Sequence, residues 1–166
     1  MRSWISVNLF SYDWRRTRMS RRVLRGFDTT EFADVRRRRG LSVGELARLA
    51  DVGVSTIHAW EAGRSTPQVD LLARVMEILD APISQVVPIE PAERYPGDWR
   101  VLKGFTQPEL AAQAKISTTT LRSIERAEFA LTDANATTLA ALLGITADEY
   151  RASYYCARHR PPGTPA

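Results

Sequence analysis

Sliding this sequence against itself by 64 residues brings two stretches into register, and that self-similarity limits the fold more than any other feature of the chain. Arg36 falls on Arg100, Gly40 on Gly104, Glu45-Leu46-Ala47 on Glu109-Leu110-Ala111, Ala50 on Ala114, Thr56 on Thr120 and Glu61 on Glu125. The register continues without a gap through Val75 on Leu139, Ile78-Leu79 on Leu142-Leu143 and Val86 on Tyr150. Conservative pairs fill the spaces between, among them Leu41 with Phe105, Ser42 with Thr106, Ile57 with Leu121 and Trp60 with Ile124. Two copies of one unit are present, and a chain of 166 residues is long enough for each to bury a small core.

Within each copy the apolar spacing is helical and leaves almost no room for strands. Phe32 and Val35 predict a helix ending at Gly40, a residue suited to a left-handed stop. Ser42 with Glu45, and Thr106 with Glu109, form capping boxes: the hydroxyl accepts from an orphan backbone N–H, and the Glu three residues on reaches back. A brief second helix follows each box, because Asp51-Val52-Gly53 and Lys115-Ile116-Ser117 turn the chain after about two helical turns. A third helix starts at once. Leu71-Leu72, Val75 and Ile78-Leu79 predict a fourth, echoed by Leu139 and Leu142-Leu143, and Thr146 with Glu149 caps a last helix carrying Tyr150 and Tyr154 on one face. Trp60, Trp99, Leu46 and Leu110 are expected in the cores. The expected organisation is a basic arm over 1–28, a first domain over 29–87, a linker over 88–97, a second domain over 98–156 and a disordered tail over 157–166. The three prolines of the linker predict a semi-rigid spacer.

Two helices joined by a tight turn, the second bearing small polar residues on its open face, suit a helix that must approach base edges in the major groove. Leu41-Ser42-Val43-Gly44-Glu45-Leu46-Ala47 through Ile57-His58-Ala59-Trp60-Glu61-Ala62-Gly63-Arg64 resembles the Xre/Cro, lambda-repressor-like helix-turn-helix family. So does Phe105-Thr106-Gln107-Pro108-Glu109-Leu110-Ala111 through Ile124-Glu125-Arg126. The resemblance implies an all-α fold of two tandem lambda-repressor-like domains, each of about five short helices.

It also implies roles. The groove-facing side chains are Val54, Ser55, His58 and Ala59 after Gly53 in the first copy, and Ser117, Thr118, Thr119, Arg122 and Ser123 in the second, where Ser117 is also expected to cap the helix. Arg64 and Thr66, in Arg64-Ser65-Thr66-Pro67-Gln68, fall on the family's phosphate-contacting loop, where the second copy has Arg126-Ala127-Glu128-Phe129 and so an acid. Thr106 and Gln107 fall at the opening of the second helix, where the family's Gln braces against phosphate or a base; Val43 holds that place in the first copy. The family's turn Gly is replaced by Asp51 and by Lys115, and Asp tolerates the left-handed region better than Lys. Partly buried ion pairs are implied between Arg36 and Glu61 and between Arg100 and Glu125. The first copy is better equipped for backbone contact and the second for bases.

Charge is divided unevenly along the chain. Residues 1–40 hold eleven Arg against four acids, a balance of +7 within a total of +4. A basic arm ahead of a mildly acidic body suits a polyanion such as nucleic acid, or an anionic membrane surface. No run approaches the roughly 18 apolar residues of a membrane helix. One Cys and two His exclude a disulfide framework and any Cys- or His-rich metal site, so no cofactor is expected, and a reducing cytoplasm is the default location. Without a nucleophile motif, a glycine-rich phosphate loop or metal-ligand spacing, the chain is not expected to be an enzyme. The combined expectation is a sequence-specific binder of double-stranded DNA, most simply a transcriptional regulator, with repression favoured over activation. The alternative is an antitoxin-like interaction module in which one copy binds DNA while the other dimerises or meets a protein partner. A homodimer stays open on either view, and Tyr150, Tyr154 and Tyr155 suit packing or a dimer contact.

The opening Trp4-Ile5-Ser6-Val7-Asn8-Leu9-Phe10 makes a poor signal peptide, lacking a small-residue cleavage site and preceding Asp13 and an Arg run. Met19 begins a second plausible start, and residues 1–18 have no repeat counterpart and no capped helix. A chain starting at Met19 is therefore expected to melt at the temperature of the full chain, with Arg21, Arg22 and Arg25 kept as DNA-contacting bases. A large fall in melting temperature would show that residues 1–18 pack on the body.

Overall fold

The computed structural model describes residues 24–166, and these are helical with no strand among them. The arm up to residue 23, with the expectation of poor order to residue 18, lies outside the described residues. The first copy comprises α1 (Thr29–Arg38), α2 (Val43–Ala50), α3 (Val54–Glu61), α4 (Val69–Ile78) and α5 (Ile83–Val86). A single 3-10 turn (Pro91–Glu93) leads to the second: α6 (Pro96–Leu102), α7 (Gln107–Gln113), α8 (Thr118–Glu125), α9 (Asp133–Leu143) and α10 (Ala147–Arg158).

Local chemistry fixes most of the helix starts. Asp28 caps α1 by accepting from Glu31 N at 2.9 Å. The boxes at α2, α7 and α10 are complete: Ser42, Thr106 and Thr146 each accept from the Glu three residues on, and each donates its own N–H to that Glu at 2.7–2.8 Å. The hydrogen bonds from Ser42, Thr106 and Thr146 hold the carboxyls of Glu45, Glu109 and Glu149 below the usual carboxylate range. Because folding depresses these values, the boxes contribute their stability above the ordinary carboxyl pKa and lose it as pH falls through the depressed one.

The repeat extends to backbone conformation where residue type has diverged. Positive φ occurs at Gly40 and Gly104, at Asp51 and Lys115, at Gly63 and Ala127, and at Asp80 and Gly144, four pairs all in the same register. Three of the four places hold a side chain in at least one copy. A left-handed L-residue costs roughly 1–2 kcal/mol, so the turns are imposed by the packing of the helices they join.

Each copy closes on its own apolar cluster. In the first, Phe32, Leu46, Ile57, Trp60, Leu72, Val75 and Val86 meet, with Phe32 edge-on to Trp60 at 6.0 Å between centroids. In the second, Leu110, Leu121, Ile124, Leu139, Leu143 and Tyr150 do so, while Trp99 lies half-buried at the edge under the Arg94 guanidinium, 4.4 Å from its ring. An ion pair joins the first helix of each copy to the end of the third. Arg36 Nε donates to Glu61 Oε1 at 2.6 Å and Arg100 Nε to Glu125 Oε1 at 2.6 Å. Each Arg also donates from Nη1 to the carbonyl that precedes the second helix, Leu41 or Phe105.

The two copies are not joined by a free spacer. Val101, in α6, is buried in the core of the first copy, Leu102 packs against it, and Ile89 of the expected linker is buried there too. Ala92 on the other side accepts from the Cys156 thiol of α10 at 3.4 Å. Gly104 lies so close to α4 that a Cβ would stand 3.0 Å from that of Ala73, on a backbone with φ +75°. The linker expectation therefore gives way to a docked seam, in which Ile89 and Val101 are buried in the core of the first copy, each such burial being worth about 1.5–3 kcal/mol.

Both ends of the expected domain map also shift. Leu24 is buried, its N–H donates to Thr66 Oγ1 at 3.0 Å, and Asp28 N donates to Val86 O at 2.8 Å, so Leu24–Asp28 are part of the first domain and not of an arm. The tail expected to be disordered starts inside α10, where Ala157 is fully buried, and Arg160 beyond it is held by the carbonyls of Arg126 and Thr164.

Lys115 is exposed and adopts φ 56°, so Lys115→Gly is expected to stabilise the protein by about 0.5–1 kcal/mol, read as a melting temperature a few degrees higher; no rise would mean the turn is unstrained. The ion pair of the second copy is drier, at 8% and 4% side-chain exposure against 11% and 15% in the first. Urea unfolding of Glu125→Ala should then show a loss of about 3–5 kcal/mol, and Glu61→Ala a smaller one, because a stranded guanidinium costs most where water is scarcest.

Candidate nucleic-acid interface

The exposed faces of α3 and α8 are produced by what their inner faces bury. Ile57 and Trp60 turn α3 inward, and Leu121, Ile124 and Glu125 turn α8 inward. Helical spacing then leaves Val54, Ser55 and His58 exposed on α3 with Ala59 half-buried beside them. On α8 it leaves Thr119 and Arg122 exposed, with Thr118 and Ser123 half-buried at the margins. In each copy the preceding helix, α2 or α7, meets this one across a left-handed residue, Asp51 or Lys115.

The two faces differ chemically. Val54 is 47% exposed and makes the start of α3 apolar. Thr118, Thr119, Arg122 and Ser123 give α8 donors and acceptors along two turns, and the Arg122 side chain has no hydrogen-bond or ion-pair partner among the described residues. Arg64, just past α3, is likewise exposed and without a partner among them.

Four of the expected contact residues spend their side chains elsewhere. Thr66 is half-buried and its hydroxyl accepts from Leu24 N, because the chain entering α1 passes over the loop. Thr106 donates its hydroxyl to Glu109 Oε2 at 2.7 Å inside the capping box. Gln107 Nε2 donates to Glu125 Oε2 at 2.6 Å and so braces the ion pair. Ser117 caps α8, accepting from Thr120 N at 3.0 Å. Capping and buried-charge satisfaction take precedence over free exposure at helix ends, which accounts for all but Thr66.

Among the arginines, Arg25 is the clearest departure. It was expected as a DNA-contacting base of the arm, yet its guanidinium is bonded to Asp98 Oδ2 and Glu93 O and lies 4.1 Å from the centre of the Tyr95 ring. Burial raises the Asp98 carboxyl above its ordinary value, opposed by the Tyr95 N–H and by Arg25. Arg37 and Arg38 pair with Asp34 and Glu31 on α1 itself, each at 2.6 Å. Sequence reasoning missed that Arg158 and Arg160 come to the end of α8, donating to Ala127 O and Arg126 O at 2.8 Å. No local signal marks them, since they lie beyond the repeat. Among the described residues no cluster of His, Cys, Asp or Glu is placed to hold a metal ion, and no helix is long and apolar enough to cross a membrane.

Comparison with known proteins agrees with this geometry. A model described as a helix-turn-helix domain matches residues 29–87, and one described as helix-turn-helix matches residues 98–150. No curated protein and no solved structure matches the chain.

Proposed function

The chain is a tandem of two helix-turn-helix domains of the lambda-repressor-like family, and on that premise we propose that it is a sequence-specific regulator of transcription, a repressor in its simplest form, that grips one DNA duplex with two unequal copies. The observation that carries the reading is Arg122, exposed at the middle of the outward face of α8 and uncommitted among the described residues, with Thr119 one turn before it. A guanidinium in that place has the two donors that match guanine O6 and N7. Val54, Ser55, His58 and Ala59 form a contact face with less hydrogen-bonding capacity, and Arg64 supplies phosphate contact at its edge. Since α6 is seated in the core of the first copy, the two contact helices act at a fixed separation and not on a tether.

A second reading has a specific observation in its favour. Phe129 and Tyr155 are 51% and 57% exposed beside an open groove of about 490 Å³ between Leu131, Tyr154 and Arg158. Such a surface suits a protein contact by the second copy, leaving DNA to the first.

Affinities of the wild type, Arg122→Ala, His58→Ala and Arg64→Ala for a selected site and for random DNA separate the readings. Arg122→Ala is expected to cost about 1–3 kcal/mol on the selected site and to relax preference at one base, while Arg64→Ala weakens both DNAs alike. Equal losses on both DNAs for Arg122→Ala would reduce the residue to a phosphate contact. No loss at all would move the second copy to the protein-binding reading.

A further inference from the structure

The loop after α8 lacks the cation that the loop after α3 presents, since Glu128 stands where the repeat register places Arg64. The structure returns positive charge to that place from an unrelated part of the chain. Arg158, at the end of α10, and Arg160, just past it, lie beside Arg126 around an open cleft of about 330 Å³, floored by Ala127 and walled by Pro161 and Gly163. Three guanidiniums meet one carboxylate there, Glu128, whose distance to Arg126 is 3.8 Å. Arg158 donates from Nη1 to Ala127 O, and Arg160 from Nε and Nη1 to the carbonyls of Thr164, Arg126 and Ala157. The Nη2 groups of both have no partner among the described residues, so each guanidinium is aimed by one edge and leaves donors on the other.

We infer that Arg126, Arg158 and Arg160 form a phosphate site for the DNA backbone at the end of α8, in which the C-terminal segment replaces the contact that Glu128 removes from the loop. The inference rests on the DNA-binding reading above and names the backbone grip of the second copy. Its chemistry is that of a phosphodiester: a single negative charge with unprotonated oxygens, matched by planar donors held at the mouth of a cleft. The site lies one helical turn beyond Arg122, so a duplex seated on α8 would meet both. Carbonyl capping accounts for one edge of Arg158 and of Arg160, but it leaves three guanidiniums against the single carboxylate of Glu128, an excess of positive charge that an anion would offset.

The test is the salt dependence of DNA binding by the full chain. Each lost phosphate contact lowers the slope of log affinity against log salt by about 0.9. The double variant Arg158→Gln/Arg160→Gln, which removes both charges while keeping a polar side chain, should lower the slope by about 0.9–1.8 and weaken selected and random DNA by the same factor. Arg158→Lys/Arg160→Lys should keep most of the slope. Glu128→Gln should tighten both DNAs several-fold, and an unchanged affinity would count against the site. A double Gln variant that melts lower yet keeps the wild-type slope makes the two arginines structural and overturns the inference alone. Absence of DNA binding by the wild type at low salt would overturn the DNA-binding reading as well.

Discussion

The placing of the exposed faces of α3 and α8 depends on a guanidinium at the first helix of each copy, buried in the second and partly buried in the first. Arg36 and Arg100 each tie together three parts: their own helix, the carbonyl that opens the second helix, and the Glu that ends the third. Without that tie, α3 and α8 would be held to their domains mainly by two apolar side chains each, a contact that permits rotation about the helix axis. With it, the last turn of each helix is locked at a charged group that has no cheap alternative partner. In the second copy Gln107 adds a further bond to the same carboxylate, and the Tyr150 phenol, pushed up by burial, lies close enough to feel both charges. The more polar outward face is therefore also the more firmly anchored one.

The seam between the copies is the second constraint. It combines apolar burial, Val101 in the core of the first copy with Leu102 packed against it, with a charged contact, Arg25 on Asp98, and a close helix approach at Gly104. Arg25 is 37% exposed, so its attraction is partly screened and the apolar contacts carry most of the seam. What the charge adds is direction. Asp98 accepts from Tyr95 N at 2.7 Å as well as from Arg25, and so fixes the start of α6 against the segment that enters α1.

Much of the architecture was legible because its causes are local or repeated. Capping boxes need only residues three apart, and the apolar positions of ten helices could be cross-checked between copies. Thr106 caps α7 in its box with Glu109 and Ser117 caps α8, so the groove-facing and bracing roles that the family lends these positions give way to caps that local spacing already marks. Two kinds of feature had no sequence signal. Left-handed backbone at Ala127 arises from tertiary packing against residue preference, and no property of the alanine itself points to it. The partners of Arg25, Arg158 and Arg160 lie 73, 31 and 34 residues away, and neither composition nor spacing points to them. A basic residue outside a repeat looks like solvated charge until the fold shows what it faces.

The docking of unequal copies has a consequence for the symmetry of any site such a protein recognises. A homodimer presents the same surface twice and is matched to DNA whose halves repeat each other by a two-fold axis. Here Val54, Ser55 and His58 on one helix answer to Thr118, Thr119 and Arg122 on the other, within a single chain whose copies share a buried seam. Each helix can diverge without a matching change in the other, because the two are encoded by separate stretches of the chain. On the DNA-binding reading proposed above, a site read by one such chain is released from palindromy and has a direction, which fixes which way round the protein lies on the duplex.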